Sequence, residues 1–294
     1  MNRQKFLNWL SAARPQTLAA ALVPVLTGAA LALHDGLFRW DTTTVALFCA
    51  FGIQIGTNFA NDYFDFIKGA DTPDRIGFER ATASGLIPPR EMMRAVIIVM
   101  SVSFFAGLYL VWVGGWIVLV VGLLSLLFGI LYTGGPYPLG YNGLGDIFVF
   151  IFFGIVAVTT TYYVNALEWS MDSLIASFPI GALCVNILVV NNLRDVEQDK
   201  VTGKRTLGVL FGESWLKAEY IFMVVIGYIT PTFMYFGYGF SAAIFLPLLS
   251  LPFAVLLVRQ ILFNRDKRLL NKTLERTSQL MILYGVLFAA GTVI

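Results

Sequence analysis

Nine apolar stretches recur along this 294-residue chain, each close to the length of about 20 residues that crosses a bilayer core. They run from 16 to 33, 43 to 61, 94 to 112, 116 to 132, 145 to 164, 173 to 191, 218 to 236, 240 to 258 and 277 to 294. Only 13% of the residues are charged and 57% are hydrophobic, whereas an ordinary soluble domain has about one quarter charged. Mean hydropathy is +0.75. The expected fold class is all-α: a polytopic membrane protein with nine transmembrane helices around a central cavity, forming one domain over residues 1–294.

Charge placement sets the expected orientation. Nineteen of the 20 Lys and Arg residues fall on the N-terminal tail or on even-numbered connections, and only Arg39 falls on the other side. The positive-inside rule then places the N-terminus in the cytoplasm and the C-terminus outside, in a cell membrane. Trp9, Trp40, Trp112, Trp116, Trp169 and Trp215 stand at or near span ends, as an interfacial aromatic belt requires. Topology accounts for the basic residues, so nucleic acid is not an expected partner; the lipid bilayer is. Oligomeric state is not legible. Cys49 and Cys184 lie inside spans and read as small packing residues. Residues 1–13 read as a short interfacial helix, with Arg14 and Pro15 opening the first span. The Gly- and Pro-rich segment TGGPYPLGYNGLGD reads as a compact, ordered loop.

The second span runs into NFANDYFDFIKGADTPDR, which carries Asp62, Asp65, Asp71 and Asp74. The sixth runs into NNLRDVEQDK. Asn61-x-x-x-Asp65 aligns with Asn191-x-x-x-Asp195 at an offset of 130 residues. This implies two four-helix halves, about 14–135 and 142–260, related as a parallel repeat, with a ninth helix added.

Residues four apart on a helix share a face, so Asn61 pairs with Asp65, and Asn191 with Asp195 and Asp199. Carboxylate and amide oxygens in small numbers suit Mg2+, which keeps room for water and substrate phosphate. A charged run after a span is ordinarily a solvated loop. Two amide–carboxylate runs that begin inside spans depart from that, because carboxylates near hydrocarbon are costly and mark function by default. Facing carboxylates would repel, so a cationic filling is expected, met by two Mg2+ ions on a diphosphate. Arg75, Arg80, Lys200, Lys204 and Arg205 are the expected diphosphate-binding bases, Lys204 and Arg205 favoured because Gly203 lets the chain turn back. An isoprenoid tail would need a greasy channel, which FVFIFFG (148–154) supplies, and Tyr132, Tyr141, Phe148 and Tyr162 are candidate faces for an allylic cation.

The ordered set NDYFD-x-x-x-G-x-D from Asn61, NNLRD-x-x-x-D from Asn191 and GKRT from Gly203 resembles the UbiA superfamily of intramembrane prenyltransferases. ANDYFDFIKGADTPDR, YPLGYNGLGD and VNNLRDVEQDKVTGKRTLGV are similar to the branch that prenylates 1,4-dihydroxy-2-naphthoate for menaquinone synthesis. Many superfamily members carry Asp where this chain has Gly69, with Asp71 two residues later. That shift is shared by the menaquinone branch, and it leaves open whether Asp71 binds metal or a base such as Arg75. The resemblance implies that Asn61, Asp65, Asn191, Asp195 and Asp199 hold magnesium diphosphate, assisted by Asp62, Asp71 and Lys204. It implies that a polyprenyl diphosphate and an aromatic acceptor meet near Tyr132, Tyr141 and Asp146, with Asp146 orienting or deprotonating the acceptor, and that the acceptor carboxyl leaves as CO2. Competing readings are transfer to 4-hydroxybenzoate, homogentisate or haem, a cation-coupled transporter, and a phosphatidyltransferase.

Overall fold

The computed structural model describes residues 3–71, 76–264 and 266–294. Apolar runs bounded by Gly, Pro and charged residues fold as helices, because only intrahelical bonding satisfies the backbone of a lone segment away from water. The order is α1 (Arg3–Ala13), α2 (Ala19–His34), α3 (Trp40–Ile67), α4 (Pro89–Gly114), α5 (Trp116–Leu131), α6 (Gly145–Val149) continuing through a π segment (Phe150–Val156) into α7 (Ala157–Ala166), α8 (Met171–Val201), α9 (Leu207–Phe211), α10 (Glu213–Tyr238), a 3-10 run (Ala242–Ser250) leading into α11 (Leu251–Phe263), and α12 (Leu270–Val293). No strand occurs among the described residues.

Each expected span coincides with a helix or a helix run, but the helices are not equal. Six described helices are long and apolar enough to cross a membrane, or seven if the bent pair Arg3–Thr17 and Ala19–His34 counts as one. The fourth expected span, α5, has 16 residues, about 24 Å at 1.5 Å per residue. The ninth, α12, carries Lys272, Glu275 and Arg276 in its opening turns.

The break before α2 differs from the expected one. Arg14 takes a left-handed φ of 52°, and Pro15 starts a 3-10 turn rather than the span itself. The two helices meet at 52°. Asn58 Nδ2 donates to the Ala13 carbonyl (2.9 Å) and to Thr17 Oγ1 (3.0 Å), which ties the corner to α3. Trp9 packs edge-on against Phe59.

Helix α8 is the axis of the bundle. In its most apolar window 78% of the residues are buried, because α2, α7, α10, α12 and the π segment all pack around it. The π segment can approach so closely because both surfaces are glycine: a Cβ on Gly154 would lie 2.7 Å from Gly181 Cα. Small residues at such crossings are how apolar helices gain packing contacts without a hydrophobic drive between them. A second cluster joins α1, α3 and α4 through Ala12, Phe59, Met92, Val96 and Met100. Cys49 and Cys184 are buried free thiols. Trp40, Trp112, Trp116, Trp169 and Trp215 are exposed at helix ends.

Candidate active site

Both acidic runs stay helical past their apolar spans. Helix α3 continues to Ile67 and α8 to Val201, so the four-residue spacing does align Asn61 with Asp65 and Asn191 with Asp195 and Asp199. The chain then brings the two ends together. Lys204 Nζ lies 3.2 Å from Asp65 Oδ1. Gln198 Nε2 donates to the Ala70 carbonyl (3.0 Å), and the Arg205 amide donates to the Tyr141 carbonyl (2.8 Å).

Asp65 is the hub. It is 2% exposed, and it accepts from Tyr141 Oη (2.6 Å), Lys204 Nζ and Arg80 Nη2 (3.0 Å). Arg80 also forms an ion pair with Asp71, with Nε 3.4 Å from Oδ1. Arg75 and Asp74 lie outside the described residues. Asn61 Oδ1 accepts from Thr133 Oγ1. Asp62 is buried and bonds to the loop that carries Arg80. Its oxygens accept from the Ala81 and Thr82 amides (3.1 and 2.8 Å), one bond to each, which anchors the returning loop.

In the second run Arg194 dominates. Its Nε and Nη2 donate to both oxygens of Asp195 (2.7 Å each), Nη2 also to Asn191 Oδ1 (2.6 Å), and Nη1 to Asn271 Oδ1 (2.8 Å). The repulsion expected between the runs is thus already offset by the chain, through Arg80, Lys204 and Arg194. Charge balance alone therefore does not demand two metal ions. Asp199 is buried beside them. Lys200 and Arg205 are exposed, and neither makes an ion pair among the described residues.

Two ammonium groups lie close to the Tyr141 ring. Lys204 Nζ is 4.5 Å and Lys68 Nζ 4.8 Å from its ring centroid. Burial first, then the Asp65 charge and hydrogen bond, push the Tyr141 hydroxyl above its ordinary pKa, so it stays a donor. Lys68, which donates to the Thr133 carbonyl (2.6 Å), has its pKa lowered, first by burial and further by the Lys204 charge, with Asp65 opposing. Sequence reasoning missed Lys68, Thr133, Arg194 and Asn271. Lys68 sits one turn beyond Asp65 and Arg194 lies within NNLRD, so spacing carried a signal for those two; Asn271 had none.

An apolar cavity of about 220 Å³ lies between α2, α3, α4, α5, the π segment and α7. Ala50, Ile53, Phe104, Phe128, Phe148 and Phe152 line it, and Tyr132 belongs to its wall. A Cβ on Gly145, next to Asp146, would lie 2.9 Å from the Tyr132 hydroxyl, so Tyr132 marks the junction of greasy and charged regions. Asp146 is 5% exposed, with a buried Oδ1 that has no protein partner. The loop containing it is ordered as expected: the Gly140 amide donates to the Tyr132 carbonyl (2.9 Å). Tyr162 departs from expectation. Its hydroxyl donates to Asp35 at the far end of α2, away from the acidic runs, so it cannot face a cation there.

As a metal site the donor set fits a hard cation. Its oxygens come from carboxylates and amides, with no His or Cys among them. No group of three or more His, Cys, Asp or Glu converges on one point among the described residues. Such a site would rely on substrate oxygens to complete the shell, which is how Mg2+ is ordinarily held.

Fold and site together define a multi-pass membrane enzyme in which an apolar cavity opens beside a carboxylate–cation cluster. The profile of the UbiA prenyltransferase family matches residues 21–288, and the chain belongs to that family. It is 35% identical over 289 residues to the 1,4-dihydroxy-2-naphthoate octaprenyltransferase of Mycobacterium leprae (strain TN), covering 97% of this chain and 96% of that one. It is also 35% identical to the enzyme of that name in Escherichia coli (strain K12), over 96% and 94% of the two chains. The apo structure of a UbiA homolog from Aeropyrum pernix K1 superposes with a TM-score of 0.74 at 15% identity, over 93% and 97% of the chains. A UbiA homolog from Archaeoglobus fulgidus bound to GPP and Mg2+ gives 0.63 at 16%, over 96% and 99%.

Proposed function

We propose that this enzyme transfers a polyprenyl chain from its diphosphate to 1,4-dihydroxy-2-naphthoate, with loss of the acceptor carboxyl group as CO2, giving demethylmenaquinone at the quinol level. The observation that carries the reading is Tyr132, a wall of the apolar cavity whose hydroxyl lies against Gly145, next to Asp146. An apolar tail in the cavity and a charged head on the cluster would meet there. The names of the similar Mycobacterium leprae and Escherichia coli enzymes support the acceptor.

Asn61, Asp65, Asn191, Asp195 and Asp199 would hold Mg2+, with Asp71 assisting beside Arg80. When bound, the ion would supply charge neutralisation on the leaving diphosphate. Lys204, Lys68 and Arg80 take up the remaining anionic charge, and Tyr141 holds Asp65 in place through its hydroxyl. As the C1–O bond breaks its electron pair leaves with diphosphate, and an electron-rich ring carbon supplies the pair for the new C–C bond. Departure of CO2 returns a pair to the ring. Asp146 orients the acceptor by accepting from a hydroxyl, which would satisfy its buried oxygen. The apolar walls keep water from the allylic cation, and holding the reactants in contact supplies much of the acceleration.

In the membrane the chain crosses nine times, N-terminus in and C-terminus out, with the site at the cytoplasmic face of the cell membrane. The strongest helix pairs support the two halves: α3 with α4 and α8 with α10 occupy matching places in the repeat. Purified enzyme given Mg2+, a polyprenyl diphosphate and the naphthoate should form prenylated, decarboxylated product. Product from 4-hydroxybenzoate or homogentisate but not from the naphthoate would overturn the acceptor. Cysteines placed in successive connections and labelled from one side would test the topology.

A further inference from the structure

Neighbours in a helix point about 100° apart and do not ordinarily meet, yet Arg194 and Asp195 form a two-bond ion pair. The Arg194 side chain must fold back to do so, and it is held there. Asn271, on the first turn of α12, takes Nη1, and Asn191 takes Nη2. The Phe78 ring lies 5.8 Å from the guanidinium carbon. Asn271 in turn donates from Nδ2 to the Ile76 carbonyl (3.0 Å), which fastens the loop returning from the first acidic run. The Arg194 side chain is 1% exposed, so it is not a surface charge awaiting an anion.

We infer that Arg194, braced by Asn271, is a positioning residue that fixes the Asp195 carboxylate and Asn191 amide for metal–diphosphate binding and ties that geometry to α12 and the 76–82 loop. This deepens the proposed function and rests on it. A carboxylate offers about four lone-pair sites, and Arg194 takes one on each oxygen. A partner behind a ligand that fixes its orientation is worth roughly 10- to 100-fold in metal affinity. The fork, not the charge alone, is what matters, because two parallel N–H bonds set the carboxylate plane and an ammonium does not.

Mn2+ binding in the presence of inorganic diphosphate, followed by electron paramagnetic resonance on the full-length protein in detergent, tests this independently of turnover. Arg194→Lys and Asn271→Ala should each weaken Mn2+ binding about tenfold when measured at a temperature where both variants are fully folded. Arg194→Gln should weaken it more. If Asn271→Ala and Arg194→Lys bind Mn2+ like the parent while Asp195→Ala does not, the positioning role is wrong and the metal site stands. Full recovery by Arg194→Lys alone would also overturn it, leaving Arg194 as a simple counter-charge. If Asp195→Ala itself binds normally, the metal–diphosphate reading falls and this inference with it.

Discussion

Lys204 Nζ sits 3.2 Å from Asp65 Oδ1, so a cation carried by the loop after the second acidic run rests on a carboxylate of the first, 139 residues earlier. That contact joins two motifs that sequence alone leaves on separate helices. Asp65→Ala should lower turnover on the order of 10²–10³-fold, the loss expected when a group clamping a charged transition state is removed. Measured kcat with Mg2+ and a prenyl diphosphate checks it; normal turnover would sink the paired-run site.

Asp62 offers a contrast within the same helix turn. Its oxygens hold the Ala81 and Thr82 amides, and leaving such buried donors unmet costs about 1–3 kcal/mol each. Asp62→Ala should therefore lower the thermal midpoint clearly while leaving the Mg2+ concentration for half-maximal activity unchanged. A large rise in that concentration, with stability intact, would return Asp62 to the metal ligands.

Lys68 should give the site a pH dependence. Its free-state pKa is lowered by burial and by Lys204, and a bound anion favours the charged form, raising it again. Affinity for diphosphate is then full below the free-state pKa and declines as pH rises through it. Lys68→Arg, whose guanidinium stays charged, should remove that decline. Binding of inorganic diphosphate by calorimetry across alkaline pH checks this, and identical profiles for the two proteins would refute it.

Ala50 lines the apolar cavity. Ala50→Phe should fill part of it, lowering kcat/KM for long polyprenyl diphosphates by roughly tenfold or more while sparing short ones, because each methylene excluded forfeits about 0.8 kcal/mol. Equal losses for both lengths would place the tail elsewhere.

Asp146→Asn should lower kcat by about 10²–10⁴-fold if its carboxylate takes up an acceptor proton, with KM for the prenyl diphosphate nearly unchanged. A KM effect alone would reduce Asp146 to a binding contact.

Much was legible in the chain by itself. Apolar runs of spanning length can satisfy their backbone only as helices, and the four-residue spacing of Asn61 with Asp65 and of Asn191, Asp195 and Asp199 sets each group on one face wherever the helix continues. The ordered Gly- and Pro-rich loop before Asp146 and the burial of both cysteines followed from local composition. Tertiary structure decided the rest, because charge partners depend on which helix ends meet. It set Asp62 against a loop, Tyr162 against Asp35, and Lys68 against the Tyr141 ring. It also placed Asn271, 77 residues from Arg194, where it braces the second run. Helical periodicity is a local property written residue by residue, whereas a buried carboxylate takes whichever cation the packing of distant helices brings to it.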